Sequence, residues 1–275
     1  MKARSLLGVA AALVAMYFSA GIYVLRFRLD SLVLPRTDAS TLSFAPILQR
    51  IDGRAGSLLI RRYGVPRVGC ALFFPGQHGD IPGYEADLFP EFNARGIAVL
   101  AIAYPGQDGA PGVSNLEQVQ ALAAQAVTSA SATCGKDRVV LYGRSLGSMV
   151  AAFSAANHSP AGLILEGAAP SLSSAIRSRL ASHWYLAPMT ILPISKLLAH
   201  DFSLADALSR TSSTPTVVFQ GTEDSETPLS TLRASARLHG LRIIAVPGAT
   251  HSTTYRLAER QIVEMSVSML RQQRT

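Results

Sequence analysis

A serine between two glycines lies near the middle of the chain, directly after a short apolar run. Residues 143–147 read Gly-Arg-Ser-Leu-Gly, with the apolar run 139–142 before them and small residues at 148–156 after them. A serine can act as a nucleophile on a sharp strand-to-helix turn, where glycines two residues away on either side avoid backbone clashes. The start of a helix also favours negative charge at the serine. The pattern therefore predicts Ser145 as the nucleophile of an acyl transfer.

The base that such a serine needs is predicted to be His251. Of the six histidines, only His239 and His251 lie beyond a plausible acid downstream of the serine, which is the order this arrangement requires. His239 ends a predicted helix before a glycine and is better explained as a helix-end residue. His251 follows the apolar run 241–246 through a short loop, at the carboxyl edge of the predicted sheet. The alternative for His251 is an ordinary exposed loop histidine.

The acid that orients the histidine is expected in the loop 221–228. This loop follows the apolar run 216–220 and offers three carboxylates, Glu223, Asp224 and Glu226. We predict Asp224, the third residue after the glycine of the loop, with the two glutamates as solvated neighbours. Its work is to hold the imidazole tautomer and to stabilise the imidazolium.

The oxyanion donors are predicted to be the backbone N–H groups of Leu146 and Gln77. Leu146 follows the nucleophile, and Gln77 lies in the loop 75–80 after the first long strand. His78 in the same loop is a rival catalytic histidine by position, but it precedes the serine, which is the wrong chain order.

Apolar runs and helical stretches alternate along most of the chain. Strands are predicted at 57–63, 68–74, 97–103, 138–142, 161–165, 216–220 and 241–246, and helices at 84–95, 115–133, 146–157, 229–239 and 253–271. Continuous apolar strands are buried on both faces, and the helices between them imply right-handed crossovers in a mostly parallel sheet. The prediction is a doubly wound α/β fold with its site at the carboxyl ends of the strands.

The first 28 residues differ from the rest. Residues 6–25 carry no formal charge and form an apolar stretch of about 20 residues, long enough to span a bilayer. The alternative is a cleaved signal peptide, but the stretch is longer than the usual apolar region of such a peptide. We predict a transmembrane anchor at 1–28, a linker with short edge strands at 29–56 and a catalytic domain at 57–275.

A long connection separates the predicted strands that end at 165 and start at 216. Because simple connections are much shorter, we expect a helical cap over the active site at about 170–210, which contains the only tryptophan, Trp184. Two roles are open for Trp184 and Met189: to line an apolar substrate pocket, or to pack the cap onto the domain.

Composition limits the partners. The 275 residues are 48% hydrophobic and 16% charged, which is typical of a globular chain. The net charge of +7 comes from scattered arginines, whereas nucleic-acid binding uses a clustered basic patch. We therefore expect no nucleic-acid partner, no cofactor and no metal. The expected partners are an acyl substrate, either a small molecule or lipid-like, and the membrane.

Three sequence motifs carry a resemblance to a known family. The runs VVLYGRSLGS and FQGTEDSETP and the loop PGAT before His251 resemble the α/β-hydrolase superfamily, over roughly residues 57–272. They are similar in particular to its membrane-anchored abhydrolase-domain branch, related to the prolyl-oligopeptidase-like hydrolases. The Ser, Asp and His of the family match Ser145, Asp224 and His251. Its usual His-Gly-Asn oxyanion loop is matched only as Pro75-Gly76-Gln77.

The resemblance and the three residues together imply a serine hydrolase that works through an acyl-enzyme. A carboxylic ester is the expected substrate, with a thioester or an amide as the nearest variants. The alternatives are a serine peptidase or amidase of the same fold and a non-catalytic, membrane-tethered binding protein on a hydrolase scaffold.

The two cysteines bear on the location of the chain. In the strand order of the superfamily, Cys70 and Cys134 fall near the same edge of the sheet, opposite the active site. They are then either two buried thiols or a disulfide, which requires Cα atoms within about 7 Å and an oxidising compartment. The charges that flank the apolar stretch are nearly balanced, and the short leader favours a catalytic domain that is exported to the periplasm or the extracellular space.

Overall fold

The computed structural model describes residues 2–37, 47–53, 56–79, 81–211, 213–236 and 241–272. His239 and Asp80 therefore lie outside the described residues. Within them, eight strands form one sheet in the order β1-β2-β4-β3-β5-β6-β7-β8. The strands are β1 Ile47–Asp52, β2 Ser57–Tyr63, β3 Gly69–Phe74, β4 Ile97–Ala103, β5 Val139–Arg144, β6 Gly162–Glu166, β7 Thr216–Gly221 and β8 Arg242–Val246.

The sheet is parallel from β4 to β8 and antiparallel only at one edge. β2 pairs antiparallel with both β1 and β4, so β1 is the edge strand of the sheet and the strand predicted at 57–63 is β2, its neighbour. β3, β4 and the first five residues of β5 are fully buried, as expected for continuous apolar runs covered on both faces. The α/β fold predicted from the alternation of strands and helices is confirmed.

Helices cover the two faces of the sheet. The helices are α1 Lys2–Phe27, α2 Leu29–Val33, α3 Ile81–Ala86, α4 Leu88–Ala94, α5 Leu116–Cys134, α6 Leu146–Ala155, α7 Leu172–Ala181, α8 Ile194–Leu197, α9 Leu204–Ser209, α10 Leu229–Ala236 and α11 Thr254–Gln272. α5 and α6 pack in the hydrophobic core on one face, and α3, α4 and α11 pack in the core on the other.

The helix predicted at 84–95 is instead two helices, α3 and α4, separated at Asp87. The reason is Pro90, whose ring would clash with the carbonyl group of Ala86 in a continuous helix and which has no N–H to donate there. The prediction of one helix was wrong because it overlooked this proline.

The N-terminal helix α1 contains a stretch, Leu6–Phe27, of 22 residues with a mean hydropathy of 1.9. By length and composition this stretch can cross a membrane, and only 6% of its most apolar window is buried in the protein. A signal sequence near the N-terminus has the same properties, so a membrane span and a signal sequence are both compatible with it.

Cys70 and Cys134 form a disulfide, with Cα atoms 6.0 Å apart. β3 and β5 are parallel neighbours in which Cys70 lies opposite Val139, at the amino-terminal ends of both strands. The hypothesis of a disulfide is confirmed, and the alternative of two unrelated thiols is wrong. Since Ser145 follows the other end of β5, the disulfide lies at the edge of the sheet opposite Ser145.

Candidate active site

Ser145 lies on the turn between β5 and α6, with φ of 52° and ψ of −118°. Residues other than glycine rarely adopt this backbone conformation. Gly143 and Gly147 on either side have no room for a side chain. A Cβ atom at Gly147 would overlap the carbonyl group of Phe74, and one at Gly143 would overlap the start of α6. The two glycines are therefore what allows the sharp turn to form, as the motif predicts.

His251 lies between Ser145 and Asp224. Its Nε2 atom is 2.9 Å from Ser145 Oγ, and its Nδ1 atom is 2.8 Å from Asp224 Oδ2. With Nδ1 protonated, the ring donates to the carboxylate and accepts from the serine hydroxyl. The structure thus brings together the three side chains that the sequence singled out, in the geometry expected for proton transfer.

Asp224 is buried and accepts hydrogen bonds at both carboxylate oxygens. Oδ1 accepts the backbone N–H groups of Glu226 and Thr227, at 2.9 and 2.8 Å. Oδ2 accepts the Thr227 hydroxyl at 2.7 Å and Gln220 Nε2 at 3.0 Å, besides His251. Burial raises the pKa of Asp224, but the bonds from His251 and Thr227 outweigh it, so the pKa lies below its usual value. The group is therefore held as an anion.

The sequence did not predict the roles of Gln220 and Thr227, which both donate hydrogen bonds to Asp224. Gln220 is the last side chain of the otherwise apolar strand β7 before its terminal glycine, and it is fully buried. A buried amide must find hydrogen-bond partners, and at this edge of the sheet the nearest candidate is the acid of the following loop. The position of Gln220 at the end of an apolar strand could therefore have predicted its contact with Asp224.

Glu166, at the end of β6, was also missed. Its side chain is fully buried and accepts the hydroxyl groups of Tyr84 and Tyr142, at 2.8 and 2.5 Å, and the backbone N–H of Tyr255 at 3.1 Å. Burial raises the pKa of Glu166, although the nearby Arg144 guanidinium and the tyrosine hydroxyls act in the opposite direction. The sequence could have singled out Glu166 because it is a glutamate that ends an apolar strand at the same edge of the sheet as Ser145.

The loop predicted to supply an oxyanion donor lies beside Ser145. A Cβ atom placed on Gly76 would be 3.4 Å from Ser145 Cβ, and Gln77 borders the same cavity as Ser145. The carbonyl group of Gln77 is held by Gln107 Nε2 at 2.7 Å. His78 is exposed in this loop, and the imidazole at Ser145 Oγ is that of His251.

A cavity of about 480 Å³ adjoins Ser145 and His251, a volume within the usual range for small-molecule sites. Apart from Gln77, Ser145, Arg179, Glu226, Thr227 and His251, its walls are apolar. The segment between β6 and β7 contributes Leu172, Ala175, Ile176, Leu180, Leu186 and Met189, and α1 and α2 contribute Ala20, Gly21, Val24, Leu25, Leu29, Leu32 and Val33.

Trp184 neither packs the cap nor lines the cavity, because it is 86% exposed. Both roles considered for it from the sequence are therefore wrong. Met189, in contrast, is 9% exposed and lines the cavity, so it packs the cap and shapes the pocket at the same time. Among the described residues, no cluster of three or more histidine, cysteine, aspartate or glutamate side chains is placed to hold a metal ion.

Comparison with known proteins agrees with this architecture. A model of the alpha/beta hydrolase family matches residues 71–207. No curated protein matches the sequence at a significant level.

Solved structures match along most of the chain. A monoacylglycerol lipase of Paleococcus ferrophilus is 18% identical, with a TM-score of 0.55 over 77% of this chain and 99% of the lipase. An alpha-beta hydrolase of Vibrio vulnificus is 20% identical, with a TM-score of 0.63 over 81% of this chain and 80% of that one. An esterase of Pyrococcus furiosus is 12% identical, with a TM-score of 0.66 over 88% and 97%. At these identities the likeness shows a shared fold.

Proposed function

The chain belongs to the α/β-hydrolase superfamily, and on that basis we propose that it hydrolyses carboxylic esters through an acyl-enzyme on Ser145. One observation carries the proposal: Ser145 Oγ, the His251 ring and the Asp224 carboxylate form a continuous row, with separations of 2.9 and 2.8 Å. A histidine that reaches both a serine hydroxyl and a buried carboxylate can take the proton of the serine while its own charge is stabilised.

The first half of the reaction forms the acyl-enzyme. Ser145 Oγ attacks the carbonyl carbon of the ester as His251 Nε2 takes the hydroxyl proton, and the carbonyl oxygen becomes an oxyanion. The N–H groups of Leu146 and Gln77 are the proposed donors to it. The carbon–oxygen bond to the alcohol then breaks, and His251 returns its proton to the leaving oxygen.

The second half releases the acid. Water attacks the acyl carbon as His251 removes one of its protons, and a second oxyanion forms at the same donors. This intermediate collapses, Ser145 leaves with the proton from His251, and a carboxylic acid is freed. Asp224 stays ionised throughout and stabilises the imidazolium in each half.

The lining of the cavity favours a neutral ester over a peptide. The two charged side chains among its described lining residues, Arg179 and Glu226, have opposite signs and lie 3.8 Å apart. They therefore offer no net charge to a peptide terminus, while the remaining walls suit an apolar acyl group.

Two other features support a proposal for the location of the chain. We propose that α1 anchors the chain in a membrane and that residues 57–275 form the catalytic domain, exported from the cytoplasm. The disulfide between Cys70 and Cys134 supports export, because disulfides persist in oxidising compartments.

A fluorophosphonate probe and three matched substrates test the proposed reaction. Full-length protein is labelled with the probe and then assayed with an ester, a thioester and an amide that share one acyl group. We expect labelling at Ser145 and the highest kcat/KM for the ester. Labelling with faster amide cleavage would favour a peptidase or amidase. Absence of labelling, with the substrates bound but unchanged, would make the chain a binding protein.

A further inference from the structure

Part of the wall of the cavity beside Ser145 comes from α1, the helix that the sequence predicts as an anchor. Ala20, Gly21, Val24 and Leu25 of α1 border the same cavity as Ser145. Their spacing places them on one face of the helix. α2 continues this wall with Leu29, Leu32 and Val33. α1 therefore forms part of the cavity wall in addition to any role as a tether.

Close contacts hold α1 against the cap. A Cβ atom on Gly21 would lie 2.8 Å from the sulfur of Met189, so the glycine lets the helix and the cap approach closely. Four residues earlier, one helical turn away, the Tyr17 hydroxyl donates a 2.6 Å hydrogen bond to the carbonyl oxygen of Tyr185.

The end of α1 and the chain that follows it are also fixed to the rest of the protein. Leu25 and Leu34 are 7% and 3% exposed and belong to the main hydrophobic core. In α2, Asp30 accepts the backbone N–H of Leu116, which begins α5, at 3.2 Å. Leu32 accepts a hydrogen bond from the Gln77 side chain, in the proposed oxyanion loop. The end of α1 therefore has a defined position relative to Ser145.

Residues 6–16 of α1 are exposed. Leu6, Leu7, Val9, Leu13 and Val14 are between 57% and 71% exposed. A span that begins at Leu6 and crosses about 30 Å of hydrocarbon at 1.5 Å per residue reaches about residue 25. The residues that line the cavity therefore lie in the last turns of the span, at the depth where acyl chains meet the headgroups.

The cap carries apolar side chains beside the same part of α1. Trp184 and Ile191 are 86% and 76% exposed, and Tyr185, which contacts Tyr17, is 52% exposed. Tryptophan and tyrosine are enriched at the membrane interface, where an amphipathic ring meets both lipid and water. The exposed Trp184, which the interior of the protein does not explain, is accounted for by this location.

We propose that the substrate is a long-chain acyl ester taken from the bilayer that α1 spans, its chain lying against Gly21 and Val24 and its carbonyl carbon at Ser145. The proposal rests on the ester hydrolysis proposed above and adds the substrate class and its source. It also requires that α1 is retained in the mature protein.

The first test changes the wall on α1. Val24→Trp places a bulky ring in the cavity, and Ile22→Trp adds the same ring two residues away, at a position that is 39% exposed and does not line the cavity. The full-length variants are assayed in detergent micelles with acetate, octanoate and palmitate esters of one chromogenic alcohol. We expect Val24→Trp to lower kcat/KM for the palmitate by roughly tenfold or more and to spare the acetate, with Ile22→Trp like the wild type. An unchanged chain-length profile in Val24→Trp overturns the proposal.

Probe labelling separates this proposal from the proposed function. If wild-type Ser145 is not labelled, ester hydrolysis itself fails. If Ser145 is labelled but Val24→Trp has the wild-type profile, only the role of α1 fails. Should Val24→Trp lose labelling through misfolding, Val24→Ser is measured instead, since it makes the wall smaller and more polar. An equal loss for all three esters in Val24→Ser also overturns the proposal.

The second test addresses the source of the substrate. The full-length protein is reconstituted in phosphatidylcholine vesicles that contain a fluorogenic palmitate ester, or is mixed with protein-free vesicles that contain it. We expect faster hydrolysis when enzyme and ester share a bilayer, and equal rates would overturn the proposal. Intact-mass analysis of the protein from its native membrane provides an independent check, because an amino terminus at or beyond Gly21 would also overturn it.

Discussion

The backbone N–H of Ser145 donates a 2.8 Å hydrogen bond to the carbonyl oxygen of Glu166. Through its side chain, the same glutamate accepts the N–H of Tyr255, in the first turn of α11 and four residues after His251. Glu166 therefore connects the turn that carries Ser145 with the helix that follows His251. Two tyrosine hydroxyls, from Tyr84 and Tyr142, fix the carboxylate between them.

Glu166→Gln should loosen the attachment of α11, whereas the bond from the Ser145 N–H to the backbone carbonyl of residue 166 stays in place. An amide offers one acceptor oxygen where the two carboxylate oxygens accept three hydrogen bonds, so we expect the free energy of unfolding to fall by about 1–3 kcal/mol. Because Glu166 positions other groups and does not touch the substrate, kcat should fall while KM changes little. Urea denaturation and steady-state kinetics measure the two effects. Glu223→Gln, at an exposed carboxylate, is the control. A Glu166→Gln variant whose stability and kcat equal those of the wild type would contradict the positioning role of Glu166.

Replacement of Ser145 should separate the effect of losing its hydroxyl on hydrolysis from the effect of its backbone strain on stability. Ser145→Ala and Ser145→Gly should both abolish fluorophosphonate labelling and ester hydrolysis, whereas Ser154→Ala in α6 should retain both. The positive φ of 52° at Ser145 costs a side chain about 1 kcal/mol or more that glycine avoids. We therefore expect Ser145→Gly to be more stable than Ser145→Ala by about that amount in chemical denaturation. Equal stabilities would argue against strain at the turn.

The sequence singled out the three side chains that the structure brings together because their signals are local. Gly143, Ser145 and Gly147 form the turn within five residues, and the parallel strands bring His251 and Asp224 to the same edge of the sheet. The chain order of these groups was enough to distinguish His251 from His78.

The features that the sequence did not predict depend on distant parts of the chain. Glu166 is explained only by Tyr84, Tyr142 and Tyr255, which come from α3, β5 and α11. The role of α1 in the cavity was not predicted because an apolar helix has the same composition whether lipid or protein covers it. Trp184 was wrongly predicted for a related reason, since residue type alone does not determine burial.

Asp224→Asn should lower kcat by about 10⁴-fold while leaving the fold intact, because an amide cannot hold the required tautomer of His251. Glu223→Gln is again the control, and a loss of less than tenfold would argue against Asp224 as the orienting acid.

The same aspartate should make stability depend on pH. Its pKa is lowered in the folded protein, so the unfolded chain, with a pKa of about 3.9, binds a proton more readily. The stabilisation is therefore fully present above that unfolded value and is lost as the pH falls through the folded pKa. Denaturant midpoints from neutral to acidic pH should show the wild type losing more stability than Asp224→Asn, and parallel curves would contradict this linkage.

Trp184 and Met189 should respond differently to truncation. Trp184→Ser removes a side chain that is 86% exposed, so the free energy of unfolding in detergent should change by no more than about 0.5 kcal/mol. Met189→Ala leaves a space beside Gly21 and should cost about 2 kcal/mol or more. In the micellar assay, Met189→Ala should also change the chain-length profile, and Trp184→Ser should not. A large loss of stability in Trp184→Ser would mean that the ring is packed against the protein.

Reduction of the disulfide should weaken the fold without damaging the active site. Cys70 and Cys134 are separated by 64 residues in sequence, and closing a loop of that length stabilises a protein by about 4 kcal/mol in the chain-entropy model. The bond lies at the opposite edge of the sheet from Ser145, so the reduced protein should keep its kcat/KM at temperatures where it remains folded. Thermal unfolding with and without reductant measures the effect, and the Cys70→Ala/Cys134→Ala variant, which should not respond to reductant, is the control. If the wild-type midpoint is also unchanged by reductant, the bond is absent in the isolated protein.

Treating intact cells with a membrane-impermeant thiol reagent before and after an impermeant reductant then tests the proposed export, because only an exported domain would gain labelling on reduction.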